Sequence, residues 1–305
     1  MSDSKFLNDI YDKRDKQIGI SSRKLYSRNL SKLNNDQEII NLNFLKSPKD
    51  ILNKIKDYKP TTQRSYIIAV CTVLKNDSKL EPLYNQYYEL LTKMNGDLKV
   101  RTDKSETQKA NWMTKNEIDL VRENLALNVV KKAKNKDDYN KILDYLILSL
   151  YTMHAPRRNI DYTLMKISND MSDKSFNYID FKGFQFIFNN YKTQGTYESV
   201  VVPIREDLFE VISIYMNNHP EKAKLKNKKY NIHFLVNYHA EPINKSIDMT
   251  RYLNKIFDGK KVGSSLLRNI YLTSKYGGMM ESLVNDVEEM STSITVAMDT
   301  YIKQD

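Results

Sequence analysis

Apolar residues recur at three- and four-residue intervals in "SPKDILNKIKDY" and "TTQRSYIIAVCTVLK", the spacing that gathers side chains on one face of a helix. Two short amphipathic helices are expected there, the second with Thr61 or Thr62 as its N-cap. "EPLYNQYYELLTKM" continues the helical pattern. It lapses in "NGDLKVRTDKSETQKAN", about 17 charged residues without apolar periodicity, which read as an exposed connection between domains. "MTKNEIDLVRENL" restarts the pattern, with Thr114 as N-cap and Glu117 three residues on in a capping-box arrangement. "YNKILDYLILSLYTM" is apolar nearly all round, which predicts a buried helix.

The period then changes. In "FQFIFNNYKTQGTYESVVVPI" Phe184, Phe186 and Phe188 alternate, a Gln194–Gly195 turn follows, and Val200 to Val202 form a second apolar run. That pattern predicts a β-hairpin. "EDLFEVISIYMNNH", "MTRYLNKIF" and "SSLLRNIYLTSKYG" return to helical spacing, and no internal repeat is present. The expected fold class is mainly α with a small β-sheet. Residues 1–100 are expected to form a helical domain, 101–111 a linker, and 112–305 a second domain.

Composition narrows the class. The chain of 305 residues is 40% hydrophobic, enough to bury ordinary globular cores in two domains. Its start, "MSDSKFLNDIYDKRDK", is polar, and no apolar run approaches the ~18 residues of a membrane span. A soluble intracellular protein without a secretory signal is expected. Cys71 stands alone, and His154, His219, His233 and His239 lack metal-ligand spacing. No metal or other cofactor is expected. Net charge is +10; residues 1–110 hold 21 Lys and Arg against 14 Asp and Glu, and residues 111–305 hold 27 against 24. A basic excess concentrated in the first third suits a polyanionic partner such as DNA or RNA, although a merely solvated lysine-rich surface accounts for charge alone.

Four short stretches fall in a fixed order after the boundary: "RRNIDYTLMKI", "YKTQG", "SSLLRNIY" and "TSITVAMDTY". Together they resemble the catalytic boxes of the tyrosine recombinase, or phage integrase, family. Arg158, Asp161, Tyr162 and Met165 match an opening box of arginine, acid, apolar residue and methionine. Lys192 sits just before the hairpin turn, as the family's lysine does. "SLLR" matches His-x-x-Arg through Arg268, with Ser265 in the histidine's place. Thr292 stands nine residues before Tyr301, where the family has His or Trp before its tyrosine, and 33 residues separate Arg268 from Tyr301, also as in the family. The likeness covers about residues 112–305; the basic N-terminal region resembles the family's core-binding domain more loosely.

The resemblance implies a site-specific recombinase that cuts and rejoins duplex DNA through a 3′-phosphotyrosyl intermediate. It implies a C-shaped clamp, a homotetramer on two paired sites built from monomers or dimers, and a virus, phage, plasmid or transposon as source. Transesterification at phosphorus needs an oxygen nucleophile, cations on the non-bridging oxygens and an acid for the departing 5′ oxygen. Tyr301 is the implied nucleophile. Arg158 and Arg268 are the implied clamp, since guanidinium grips phosphate bidentately and stays charged. Lys192 suits protonation of the leaving oxygen, and no magnesium is then required.

Arg157 is an alternative clamp, and Arg158 is alternatively a surface residue paired with Asp161. His154 reads as structural. Ser265 and Thr292 depart from the pattern, which implies a slow or divergent enzyme, or a DNA-binding protein of the same fold that no longer cuts. A type IB topoisomerase, relaxing supercoils with the same kind of site, is a further alternative.

Overall fold

A computed structural model describes residues 4–15, 17–75, 77–97, 104–163, 165–193 and 198–301. The chain divides into two compact units, residues 1–103 and 104–305. It is mainly α with one small mixed β-sheet. Among the described residues no helix is long and apolar enough to cross a membrane.

The first unit holds helices α1 (Lys5–Asp12), α2 (Ile20–Leu33), α3 (Pro48–Ile55), α4 (Pro60–Leu74) and α5 (Glu81–Asp97). Helix α4 is its centre rather than an amphipathic surface helix: Ile67, Val70, Val73 and Leu74 are buried together with Tyr66, Ala69 and Cys71. Leu7 and Tyr11 of α1, Leu30 and Leu33 of α2, Ile51 and Ile55 of α3, and Tyr87 of α5 join this core. The N-cap of α4 is Lys59, not a threonine, and no side chain caps it. Pro60 at the first helical position explains the shift, because its fixed φ starts the helix and its missing N–H needs no acceptor.

In the second unit, α6 (Glu106–Asn111) occupies the C-terminal end of the stretch whose charge reads as a connection. A capping box, in which the Ser105 hydroxyl accepts from Gln108 N and the Gln108 side chain accepts from Ser105 N, nucleates it without apolar periodicity. Helix α7 (Lys115–Leu127) starts at Thr114 with the expected Glu117 partner. Helix α8 (Lys136–Thr152) buries ten residues, among them Leu143, Leu146, Ile147 and Leu150. After it come α9 (Asn159–Thr163), α10 (Glu206–Asn217), α11 (Ser246–Ile256), α12 (Ser264–Glu289) and the single turn α13 (Ile294–Val296), which continues as a π-type turn through Ala297–Tyr301.

The sheet contains more than the expected hairpin. Strands β1 (Met165–Ser168), β2 (Asn177–Asp180), β3 (Gln185–Phe188), β4 (Val200–Pro203) and β5 (Asn231–His233) lie in the order β4-β3-β2-β1-β5. β3 and β4 form the hairpin, with Phe186 opposite Val202. β1 and β2 pair in parallel, and all other pairs are antiparallel. Three of the strands lack sequence alternation, since β1 and β2 bury both faces and β5 spans three residues. Phe184 breaks the Phe alternation: it precedes β3 at φ 50° and is exposed, while Phe186 and Phe188 are fully buried. Gln194 and Gly195 lie outside the described residues.

Candidate active site

The two consecutive arginines before α9 have different surroundings. Arg157 Nε donates to Asp161 Oδ2 at 2.9 Å, one helical turn on. The same guanidinium lies 3.7 Å from the centre of the Phe188 ring and 5.5 Å from that of Tyr191. Arg157 is therefore committed to holding α9 against the hairpin. Arg158 is half-buried, and its guanidinium makes no hydrogen bond or ion pair among the described residues. The pairing of Arg158 with Asp161 considered from the sequence is thus replaced by Arg157, because position 157 places its Nε within reach of the carboxylate. Burial pushes the Asp161 carboxyl up in pKa, and the Arg157 charge opposes it. Asp161 Oδ1 is buried without a hydrogen-bond partner.

Asn159 ties this segment to α8 and α11. Tyr151 Oη donates to Asn159 Oδ1 at 2.7 Å, and Asn159 Nδ2 donates to Ser246 O at 2.9 Å and Thr250 Oγ1 at 3.0 Å. Gly263, the N-cap of α12, packs against the same threonine: a Cβ added to it would sit 3.8 Å from Thr250 Cγ2. The α9 and α12 starts therefore meet around Thr250. No side chain caps α12, so the first-turn amides of Ser264 and Ser265 retain their donor capacity. Ser265 is exposed one residue into the helix, and Arg268 is half-buried one turn later. Like that of Arg158, the guanidinium of Arg268 makes no hydrogen bond or ion pair among the described residues.

These two arginines are exceptions in their unit. Arg122, Arg157, Arg205 and Arg251 are each paired with a carboxylate, Asp119, Asp161, Asp207 and Asp248 respectively.

Lys192 lies in the β3–β4 connection and is exposed. Asn177 anchors the hairpin behind it. This fully buried side chain donates to Asp161 O at 2.7 Å and Asn190 O at 3.0 Å, while its Oδ1 accepts from the backbone N–H groups of Asn189 and Asn190, both at 2.8 Å. Both donors and both acceptor positions of the amide are used between α9 and the hairpin. Arg157 stacking on Tyr191 adds a second link, immediately before Lys192.

The last two boxes are elsewhere. Thr292 follows α12, with its N–H donating to Val287 O at 2.9 Å, and Ser291 takes φ 53°, so the chain reverses at that point. Tyr301 ends the π-type turn. Arg268 and the C-terminal end of α12 are separated by about 30 Å of continuous helix. Arg158, Lys192, Ser265 and Arg268 are thus carried on elements that converge, and Thr292 lies at the far end of α12 from them.

His154 belongs to the interior. Its Nε2 lies 2.8 Å from Tyr162 Oη, and its ring packs 5.9 Å from that of Phe186. Burial pushes its imidazole down to about 4, so it is neutral at pH 7. Among the described residues no group of three or more His, Cys, Asp or Glu side chains forms a metal-binding cluster. Sequence reasoning missed Asn159, Asn177 and Thr250, the residues that join the boxes. Only the position of Asn159 beside Arg158 offered a hint. No protein-family model matches the chain, and no curated protein matches it.

Proposed function

We propose that the chain is a DNA strand transferase of the tyrosine recombinase type. The observation that carries this reading is the pair Arg158 and Arg268, unpaired guanidinium groups on two elements that meet around Thr250. An arginine costs stability where it is half-buried and unpaired, so its retention suits an anion that arrives from outside. A phosphodiester fits both forks, and the uncapped α12 terminus adds backbone donors aimed at negative charge.

In the proposed reaction the Tyr301 oxygen attacks phosphorus, a 3′-phosphotyrosyl bond forms, and the bond to the 5′ oxygen breaks. Lys192 gives a proton to that leaving oxygen. Arg158 and Arg268 bind the non-bridging oxygens, whose charge grows in the transition state. Ser265 supplies a hydroxyl or the α12 amides serve in place of the missing imidazole. Rejoining is the reverse attack by a 5′ hydroxyl, so no external energy source is consumed. The N-terminal unit contributes non-specific affinity through its basic excess, and assembly as a homotetramer on paired sites completes the reading.

A second reading, a DNA-binding protein that does not cut, is favoured by Ser265 and Thr292 and by the length of helix between Arg268 and Tyr301. A nicked suicide substrate separates the two. Accumulation of a covalent protein–DNA adduct supports the enzyme; DNA binding with no adduct supports the second reading.

A further inference from the structure

Asn177 is a fully buried amide on β2, the strand between β1 and β3. An apolar residue is the ordinary occupant of such a position, because a buried amide costs free energy unless each of its groups finds a partner. All four of its hydrogen bonds go to main-chain groups. One is on Asp161 in α9, and three are on Asn189 and Asn190, immediately after β3.

Both ends of this bridge lead to the candidate site. The Asp161 N–H donates to Arg158 O at 3.0 Å, so the α9 anchor lies one turn from Arg158. Asn190 precedes Lys192 by two residues. The returning arm of the same connection is fastened to this base as well. Ser199 Oγ donates to Asn189 Oδ1 at 2.7 Å, Asn189 Nδ2 donates to Phe176 O at 3.0 Å, and Tyr191 Oη donates to Glu198 O at 2.7 Å. Lys192 itself is exposed on a flexible four-carbon stem, so the placement of its backbone decides what its ammonium reaches. That placement is set from β2.

We infer, on the reading that the chain transfers DNA strands with Lys192 as proton donor, that Asn177 is a positioning residue for that proton transfer. It fixes the backbone before Lys192 relative to Arg158, so that the ammonium meets the leaving 5′ oxygen of the phosphate that Arg158 grips. The two cations serve one phosphorus centre, and a misplacement of about 1 Å between such groups costs about 10²-fold in rate. Only an amide of this length supplies two donors and two acceptors at once: aspartate lacks the donors, and leucine lacks all four.

The experiment compares two suicide substrates, one ordinary and one with sulfur in place of the bridging 5′ oxygen. On the second, attack at phosphorus breaks a P–S bond and the sulfur departs as a thiolate, which needs no proton donor. Asn177→Leu in the full-length chain is expected to slow adduct formation about 10²-fold on the ordinary substrate. On the sulfur substrate it is expected within about threefold of wild type, as is Lys192→Ala, because the step they impair is bypassed. Arg268→Ala is expected to be slow on both. Ser199→Ala removes one hydrogen bond at an exposed position and is expected to follow the Asn177 pattern at about tenfold. It takes the place of Asn177→Leu if circular dichroism shows that variant unfolded. The positioning role is overturned if the deciding variant is equally slow on both substrates, or as fast as wild type on the ordinary one. Lys192→Ala left slow on the sulfur substrate removes the proton donor, and the role of Asn177 with it. Absence of adduct with wild-type protein on either substrate overturns the strand-transfer reading itself.

Discussion

Arg157 Nε and Asp161 Oδ2 lie 2.9 Å apart, an ion pair with the carboxylate almost wholly buried and the guanidinium stacked on Phe188. This pair divides the labour of two adjacent arginines, one holding the fold and the other left without a partner. Arg157→Ala is expected to leave both Asp161 oxygens without partners and to destabilise the unit by about 3 kcal/mol. Arg158→Ala is expected to change stability by no more than about 0.5 kcal/mol, while cleavage is lost. Urea melts beside adduct yields measure both, and equal effects of the two substitutions on stability would reject the division.

Tyr301→Phe removes one oxygen. It is expected to abolish the adduct while DNA affinity stays within a few-fold of wild type, because the hydroxyl acts in the transition state. Arg268→Ala is expected to weaken binding as well as cleavage. Tyr271→Phe and Tyr276→Phe are controls that keep the adduct. Retention of a 3′-linked adduct by Tyr301→Phe would exclude Tyr301 as the nucleophile.

Ser265 is exposed in the first turn of α12, one turn before Arg268, so a larger side chain fits there without repacking the core. Ser265→His is expected to leave DNA binding unchanged and to raise the cleavage rate, a well-placed donor being worth about 10²–10³. A rate that stays flat or falls, measured in single turnover, would show that the position does not serve the phosphate.

The first unit has its own core, so deleting residues 1–105 leaves the second unit's core intact. The truncated chain is expected to bind DNA with a shallower dependence of log K on log salt. Each lost phosphate contact removes about 0.9 from the slope. An unchanged slope would place the DNA contacts elsewhere.

His154 sets a pH dependence of stability. Its pKa is about 4 in the fold and about 6.5 in an unfolded chain. The lowered value means that the unfolded state binds the proton first, so this contribution is complete above pH 6.5 and lost progressively down to about pH 4. His219 and His233, also lowered by burial, act in the same direction. His154→Gln is expected to reduce the loss between pH 7 and 4 by about 3 kcal/mol. An unaltered profile in urea melts at several pH values would show that His154 titrates normally.

Helices were legible in the sequence wherever a local signal sufficed. Thr114 and Glu117 cap α7 as their spacing requires, and the apolar run of α8 could only be buried. The β3–β4 hairpin announced itself by alternation at Phe186 and Phe188. β1, β2 and β5 did not, because strands of three or four residues are stabilised by pairing with partners distant in the chain, which no local period records.

The candidate site divides in the same way. The residue types and their order, Arg158, Lys192, Ser265, Arg268, Thr292 and Tyr301, are properties of the sequence alone. Which arginine is tied up and which is unpaired was decided by the tertiary placement of Asp161 and Phe188, since adjacent residues share a local signal but not a direction. The meeting of the α9 and α12 starts rests on Asn159 and Thr250, 91 residues apart. The separation of Tyr301 from Arg268 was likewise set by folding. The 33 residues between them suit either a compact return or a long helix, and the structure uses both, a continuous α12 from Arg268 to Glu289 and a reversal at Ser291.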